Sequence, residues 1–521
     1  MKKISFFLLL SCLSIFIPNA SVQAQLSSSQ LDTLVQNSLK KFDVAGVAVA
    51  IVKDGKIVYE KGFGVKSITT NSPVDVHTNF QIASNSKAFT TAALSILVDE
   101  KKISWKDKVR NYIPEFKMYN DYVTENFMIE DLLCHRSGLG LGAGDLMDFP
   151  DGADFTIKDK LSFAQYFKPV SAFRTQFDYD NQLYTVAGEL IARVTGMTWE
   201  KFVQTKILDV LQMNNSFSSP DSMKDKSNMA TPHSTSTGKI RTIGTFRDMI
   251  NGAAGGIVSN VDDMSKWMIT QLNRGKYGSN LEKQLFSQAR QKEMWTIHTV
   301  MPANDFPRYN QHFSGYGFGW FLNDIKGNFE VSHTGGLPGM LTSVTLMPDL
   351  KLGIVILTNT ENGGGALFSA IRQTIIDSYL GLDDFGWVDK YSQRLKAISG
   401  TSDSVTTTVW KTVAAAKNIK VNASDYTGIY EDKWFGKIEV FLKGNQLWFK
   451  AYRSPKLNGP MFFYKANTFA IKWEYQDMPC DALAMFGLDE NGKAQSIKMK
   501  GISPNIDFSF DFQDLDLQRV K

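Results

Sequence analysis

Cysteine is scarce in this chain: of 521 residues only three are cysteines, Cys12, Cys134 and Cys480. A disulfide framework or a thiolate zinc site needs more of them, closer together, so neither is expected. Histidine is almost as scarce, with six residues and no HExxH helix or Cys/His cluster, so no metal site and no cofactor is predicted. Neither sign of charge dominates, since 57 basic residues stand against 53 acidic ones. That balance gives no footing for nucleic acid as a partner. Long apolar runs are missing too, apart from Ile4 to Ile17. This run is too short for a membrane span, follows Lys2 and Lys3, and precedes Val22-Gln23-Ala24, the pattern of a leader cleaved after Ala24. Residues 1–24 are therefore read as a signal peptide, and the mature protein as exported, periplasmic or extracellular, with no stable membrane anchor. Leu9-Leu10-Ser11-Cys12 offers a lipoprotein signal instead, but the apolar run continues past Cys12, which disfavours it.

What is present falls into two parts, as the length leads one to expect. Residues 30–42 carry an amphipathic helix pattern, and VAGVAVAIVKDGKIVYEKGFG reads as two strands joined at Asp54-Gly55. Helical patterns follow Ser84 and Asn181, the second stopped by Gly196. GNFEVSHTGG, SVTLM and LGIVILTN read as three more strands, the last two turning through Pro348-Asp349. Strands at both ends with helices between them predict an α+β domain over residues 25–385. The Ser/Thr-rich SGTSDSVTTTV and the polar helix WKTVAAAKN place a connector at 386–422. Beyond it, IEVFLKGNQLWFK and IKWEY are strand-like, with Lys443-Gly444-Asn445 and Asn491-Gly492 turns, so 423–521 reads as a small all-β module.

Three Ser-x-x-Lys spacings occur: Ser38/Lys41, Ser84/Lys87 and Ser236/Lys239. Only Ser84 opens an apolar helix, whose Ala88, Phe89, Ala92, Ala93, Ile96 and Leu97 would bury most of its surface. Residues three apart on a helix are neighbours, so Lys87 is drawn inward beside Ser84. Burial disfavours an ammonium, and a lysine brought down from about 10.4 to about 7–8 becomes a base near neutrality. The helix start also offers unpaired backbone N–H groups to a developing oxyanion. The plainer alternative is a capping serine beside a solvated lysine.

The surrounding motifs favour the chemical reading. QIASNSKAFT resembles the nucleophile motif of the serine β-lactamase and penicillin-binding protein superfamily. DLLCHRSGL is similar to the LLxHxSGL stretch of the branch related to class C β-lactamases. QFDYDNQLYTVAGELI holds a single Tyr-x-Asn triplet, Tyr179-Asp180-Asn181, and VSHTGGLPG supplies His333-Thr334-Gly335 where the family pattern has Lys-Thr-Gly. AAGGIVSNVDDMSKWM and GYGFGW are lesser family-like pieces, and the matches run in family order over roughly residues 30 to 380.

The resemblance implies a β-lactamase-like antiparallel sheet flanked by helices, with an all-helical subregion. It implies Ser84 as acylated nucleophile, with Lys87 and Tyr179 sharing proton transfer and neither singled out as the base. Asn181 would bond Lys87 or the substrate amide, and His333 and Gly335 would line the substrate strand, taken as an edge strand. The N–H groups of Ser84 and Gly336 would form the oxyanion hole. His135 and Ser137 are read as structural. A histidine at 333 is largely neutral at pH 7 and lacks the fixed charge that a lysine would offer a carboxylate.

The implied activity is that of a serine hydrolase acting on D-amino-acid-containing amides or peptides, lactams or esters, with a small molecule or peptide as partner. A dedicated β-lactamase or D,D-peptidase is the nearer alternative, and a catalytically silent penicillin-recognising sensor the more distant one. DYTGIYEDKWFGKIEVFLKGNQLWF resembles the lipocalin-like β-domain often fused to these hydrolases. That module is expected to cover the site, bind a ligand, mediate a homo-oligomer or simply pack.

Overall fold

A computed structural model describes residues 25–520 apart from 237, 248, 249 and 251, and the leader expected at 1–24 lies outside the described residues. Helix α1 (Ser28–Phe42) starts at a capping box in which Ser27 and Gln30 satisfy each other's backbone N–H. Strands β1 (Gly46–Lys53) and β2 (Lys56–Gly64) form the predicted hairpin at Asp54-Gly55. Helices α2 (Ser86–Asp99), α3 (Gln182–Thr195) and α4 (Val261–Leu272) follow. Next come β3 (Thr299–Met301), β4 (Ser314–Tyr316), β5 (Phe321–Ile325), β6 (Asn328–Leu337), β7 (Met340–Met347) and β8 (Leu352–Thr358), and then helix α5 (Gly363–Tyr379).

These eight strands make one sheet in the order β2-β1-β8-β7-β6-β5-β4-β3, antiparallel throughout. The chain's first strands thus close against its last, as the pattern predicted. Both faces of the central strands are buried, which explains their unbroken apolar runs. On β1, Val47, Val49 and Ile51 pack with α1 and α5, while Ala48, Ala50 and Val52 face the core shared with α2 and α4.

The connector expected at 386–422 is largely one helix, α6 (Trp387–Ala415), and the Ser/Thr-rich stretch lies inside its 29 residues. Its start packs Trp387 into the α1/α5 core, and its end packs Val409 against Ala470, Leu483 and Ile502 of the C-terminal part. Tertiary burial at both ends overrides the weak helix propensity between them.

The C-terminal part is a closed eight-stranded antiparallel barrel, β9 (Gly428–Asp432) to β16 (Leu517–Arg519). Phe449, Phe469, Phe486 and Ile497 are buried in it. IKWEY is not a strand, since only Ile471 belongs to one; Trp473 is buried and its indole N–H donates to the Cys480 carbonyl at 2.8 Å. Cys134 and Cys480 are buried free thiols.

Candidate active site

Ser84 sits in a single 3₁₀ turn, Ala83–Asn85, immediately before α2. Ala83 has φ +50°, a left-handed conformation that costs a residue with a side chain of order 1 kcal/mol or more and needs support from its surroundings. Asn85 supplies part of it, its buried amide donating to the Ile82 carbonyl at 3.2 Å and to Thr342 Oγ1 at 2.8 Å. The β6 strand supplies the rest. A side-chain carbon at Gly335 would stand 2.2 Å from the Ile82 carbonyl and 2.5 Å from Thr342 Oγ1, so the strand approaches this turn as only glycine allows. Gly335 is thus a close-approach residue behind the site, whereas Ser84, His333 and Gly336 line the cavity. Nor is β6 an edge strand, since it lies between β7 and β5. Its pairing with β5 stops at Phe321↔Ser332, so residues 333–337 carry only β7 on one side and present the other to the cleft.

Lys87 is fully buried, and its Nζ donates to Ser84 Oγ at 3.0 Å, Asn181 Oδ1 at 2.7 Å and the Ala254 carbonyl at 2.9 Å. An ammonium has three protons for these three acceptors. A neutral amine has two for the carbonyls and a lone pair for the Ser84 hydroxyl, so the cradle satisfies both protonation states without moving. Burial lowers the lysine from 10.5 to about 7, against the opposing pull of Asp145 and Asp180.

Tyr179 closes the cluster, with Lys87 Nζ 4.8 Å from its ring centroid. Burial pushes its phenol well up, against a lowering hydrogen bond with Ser84. Its ring lies against His135, centroids 4.2 Å apart and planes tilted by 34°, and His135 Nδ1 accepts the Asp180 N–H at 3.0 Å, which gives the structural reading of His135 a specific form. Asn181 does not cap α3; Asp180 Oδ1 takes the Leu183 N–H at 3.3 Å, leaving the Asn181 side chain for Lys87. His333 Nε2 lies 2.9 Å from the Tyr316 hydroxyl and Nδ1 2.6 Å from the Thr334 carbonyl. Nδ1 then carries the proton and Nε2 accepts. Burial and the nearby Lys87 hold this imidazole near 3, so it is neutral across the ordinary pH range.

Sequence reasoning missed a second tier of residues. Asp145 Oδ2 accepts from Asn181 Nδ2 at 2.7 Å and from Ser509 Oγ at 3.2 Å, and Asp145 Oδ1 accepts from Gln182 at 3.2 Å. Asp511 accepts the Gly144 and Leu146 N–H groups, each at 2.8 Å. Ser509 and Asp511 belong to the barrel part, so a chain of contacts runs from it through Asp145 and Asn181 to Lys87. Arg453 adds pairs with Asp154 at 2.8 Å and Asp159 at 2.9 Å across the same seam. The cavity at Ser84 holds about 310 Å³, and Met478, Asp507, Phe508 and Ser509 of the barrel part form one wall of it. Only Ala254 and Tyr316 had a signal in sequence, within the lesser family-like pieces AAGGIVSNVDDMSKWM and GYGFGW.

A nucleophile-like serine, a buried lysine and a tyrosine held between a helical region and an antiparallel sheet define the class of β-lactamase-fold proteins. The family model described as beta-lactamase matches residues 31–376, and the chain belongs to that family. Residues 415–519 match a domain of unknown function, DUF3471. Among characterised relatives, the unguisins hydrolase ungD' of Aspergillus campestris is 27% identical over 410 residues, covering 76% of this chain and 74% of its own. Protein flp of Staphylococcus aureus strain MRSA252 is 26% identical, covering 64% of each chain. The octameric penicillin-binding protein homologue from Pyrococcus abyssi superposes with TM-score 0.61 at 21% identity, over 92% of this chain and 99% of that one. A penicillin binding protein from Bacillus halodurans gives 0.54 at 20% identity, over 65% and 98%.

Proposed function

We propose that this protein is an exported serine hydrolase that forms an acyl-enzyme on Ser84 with amide, peptide, lactam or ester substrates. The observation that carries the reading is the 3.0 Å contact between Lys87 Nζ and Ser84 Oγ in a cradle that fits the amine as well as the ammonium. Lys87, lowered to about 7, is the base, and Tyr179, whose phenol is held protonated, is the donor.

In this scheme the Ser84 proton moves to Lys87 as Oγ bonds the substrate carbonyl carbon. The N–H groups of Ser84 and Gly336 hold the oxyanion, each such donor being worth about 2.7–4 kcal/mol in the barrel-covered site. Collapse breaks the bond to the leaving nitrogen or oxygen. That atom takes the Tyr179 proton, and the phenol is restored from Lys87. Water then repeats the sequence in reverse and releases the acid. Asn181 fixes the lysine, and His333 shapes the substrate strand without charge. The unguisins hydrolases, similar over three quarters of their length, support hydrolysis as the activity.

The test is intact-mass analysis after treatment with a fluorophosphonate and with a fluorescent penicillin, followed by turnover of p-nitrophenyl esters, D-alanyl amides and nitrocefin. Wild type is expected to gain one adduct and Ser84→Ala none. Labelling or turnover that persists in Ser84→Ala overturns the reading. N-terminal sequencing of secreted material, expected to start at Gln25, tests the export.

A further inference from the structure

The charged lining of the cavity at Ser84 narrows the substrate class, an inference that rests on Ser84 being the nucleophile. The charged residues lining this cavity are Asp148, Glu361 and Asp507, with no lysine or arginine among them. Asp148 is already matched, its two oxygens accepting from Lys160 at 2.7 and 2.6 Å. Glu361 and Asp507 have no ion pair among the described residues. Glu361 spends Oε2 on the Gly339 N–H at 2.7 Å, and Asp507 spends Oδ1 on the Ser509 N–H at 2.9 Å. Each keeps acceptor capacity for the cleft.

One of these carboxylates comes from the segment after β8 and the other from the barrel part, and both line the same cavity. Burial first, and the charge of Asp507 as a further contribution, raise Glu361 to about 7. Two like charges brought together across a seam between two parts of a fold repel each other, and a cation between them removes the repulsion. Nothing in the cleft supplies that cation. His333 is neutral, and Lys87 lies behind Ser84 with its protons engaged. Phe177, Phe321 and Phe508 line the same space and tolerate an organic ammonium against their faces. The same surroundings oppose a substrate carboxylate, which would meet two carboxylates and no counter-charge.

We propose that Glu361 and Asp507 together bind a protonated amine of the substrate, so that the enzyme selects amine-bearing amides and peptides over substrates that place a carboxylate in this cleft. The barrel part then completes the specificity pocket, because half of the amine site is its own residue.

The experiment uses the full chain and two readouts. The first is kcat/KM for alanine p-nitroanilide, in D and L forms, against its N-acetyl and N-succinyl derivatives. Wild type is expected to favour the free amine over N-acetyl by about tenfold or more and to disfavour N-succinyl further. Asp507→Asn and Glu361→Gln are each expected to shrink the amine-to-acetyl ratio about tenfold, and Asp507→Lys to turn the preference toward N-succinyl. The second readout, independent of turnover, is protection of Ser84 from the fluorophosphonate by benzylamine against benzoate. Benzylamine is expected to protect wild type and to lose this effect in Asp507→Lys. Equal protection by both compounds, or a preference for the N-succinyl form in wild type, overturns the proposal while leaving the Ser84 chemistry intact. Absence of any Ser84 adduct overturns the chemistry itself, and the amine site with it.

Discussion

Replacing Lys87 by methionine turns the buried lysine into a measurable stability term. Burial brings this lysine from 10.5 to about 7, a difference of about 5 kcal/mol between the folded and unfolded ammonium at 1.36 kcal/mol per unit. The sign follows from proton counting. Between about 7 and 10.5 the unfolded chain holds a proton on this lysine that the folded chain has released, so wild-type stability gains with rising pH across that window. Below about 7 both states are protonated and the full penalty stands. Methionine carries no such term, but it strands the Asn181 and Ala254 oxygens, at about 1–3 kcal/mol each. Near pH 6.5 the two effects oppose, and Lys87→Met is expected to be within a few kcal/mol of wild type despite losing all activity. By pH 10 wild type should have gained about 4 kcal/mol on the variant. Urea unfolding of both proteins from pH 6.5 to 10, followed by tryptophan fluorescence, measures the difference. Other titrating groups largely cancel between the two proteins. Parallel stability curves across this range would refute the depressed lysine, and with it the case for Lys87 as the base.

Three other perturbations probe the support around that lysine. Asp145 favours the ammonium, so Asp145→Asn should lower the lysine further and move the acid limb of kcat/KM from about 7 to lower pH; an unmoved limb in a folded variant contradicts this. Asp511→Ala strands the Gly144 and Leu146 N–H groups, which should cost about 2–5 kcal/mol and lower the melting temperature together with kcat. Gly335→Ala places a carbon 2.2 Å from the Ile82 carbonyl and should cut kcat/KM more than tenfold with circular dichroism retained; full activity would show that the turn at Ser84 needs no such close approach.

The legible features were those written locally. Strand β1 announces itself as an apolar run, the hairpin as Asp54-Gly55, and the turn at Ser84 as a Ser-x-x-Lys spacing ahead of an apolar helix. The connector's extent was less legible, because SGTSDSVTTTV has weak helix propensity, while its helix is held by packing at Trp387 and Val409. IKWEY failed for a similar reason: alternating aromatics look like a strand, but burial of Trp473 beside Cys480 decides its course. Gly335 was assigned to the substrate surface because its neighbours are there, and only the distance to Ile82 reveals its task.

By itself the order of residues determined the two-part organisation, the α+β pattern and the Ser84/Lys87 pair, because helix spacing and strand alternation act over a few residues; Tyr179, Asn181 and His333 were candidates only through resemblance to family motifs. Tertiary structure alone decided that Asp145 stands behind Asn181, that Ser509 reaches it and Asp511 its flanking backbone from the far end of the chain, and that Glu361 and Asp507 line one cavity. These contacts join residues 36 to 367 positions apart, and no local rule couples them. They follow from the chain's first strands pairing with its last and from the barrel part packing along one wall of the cavity.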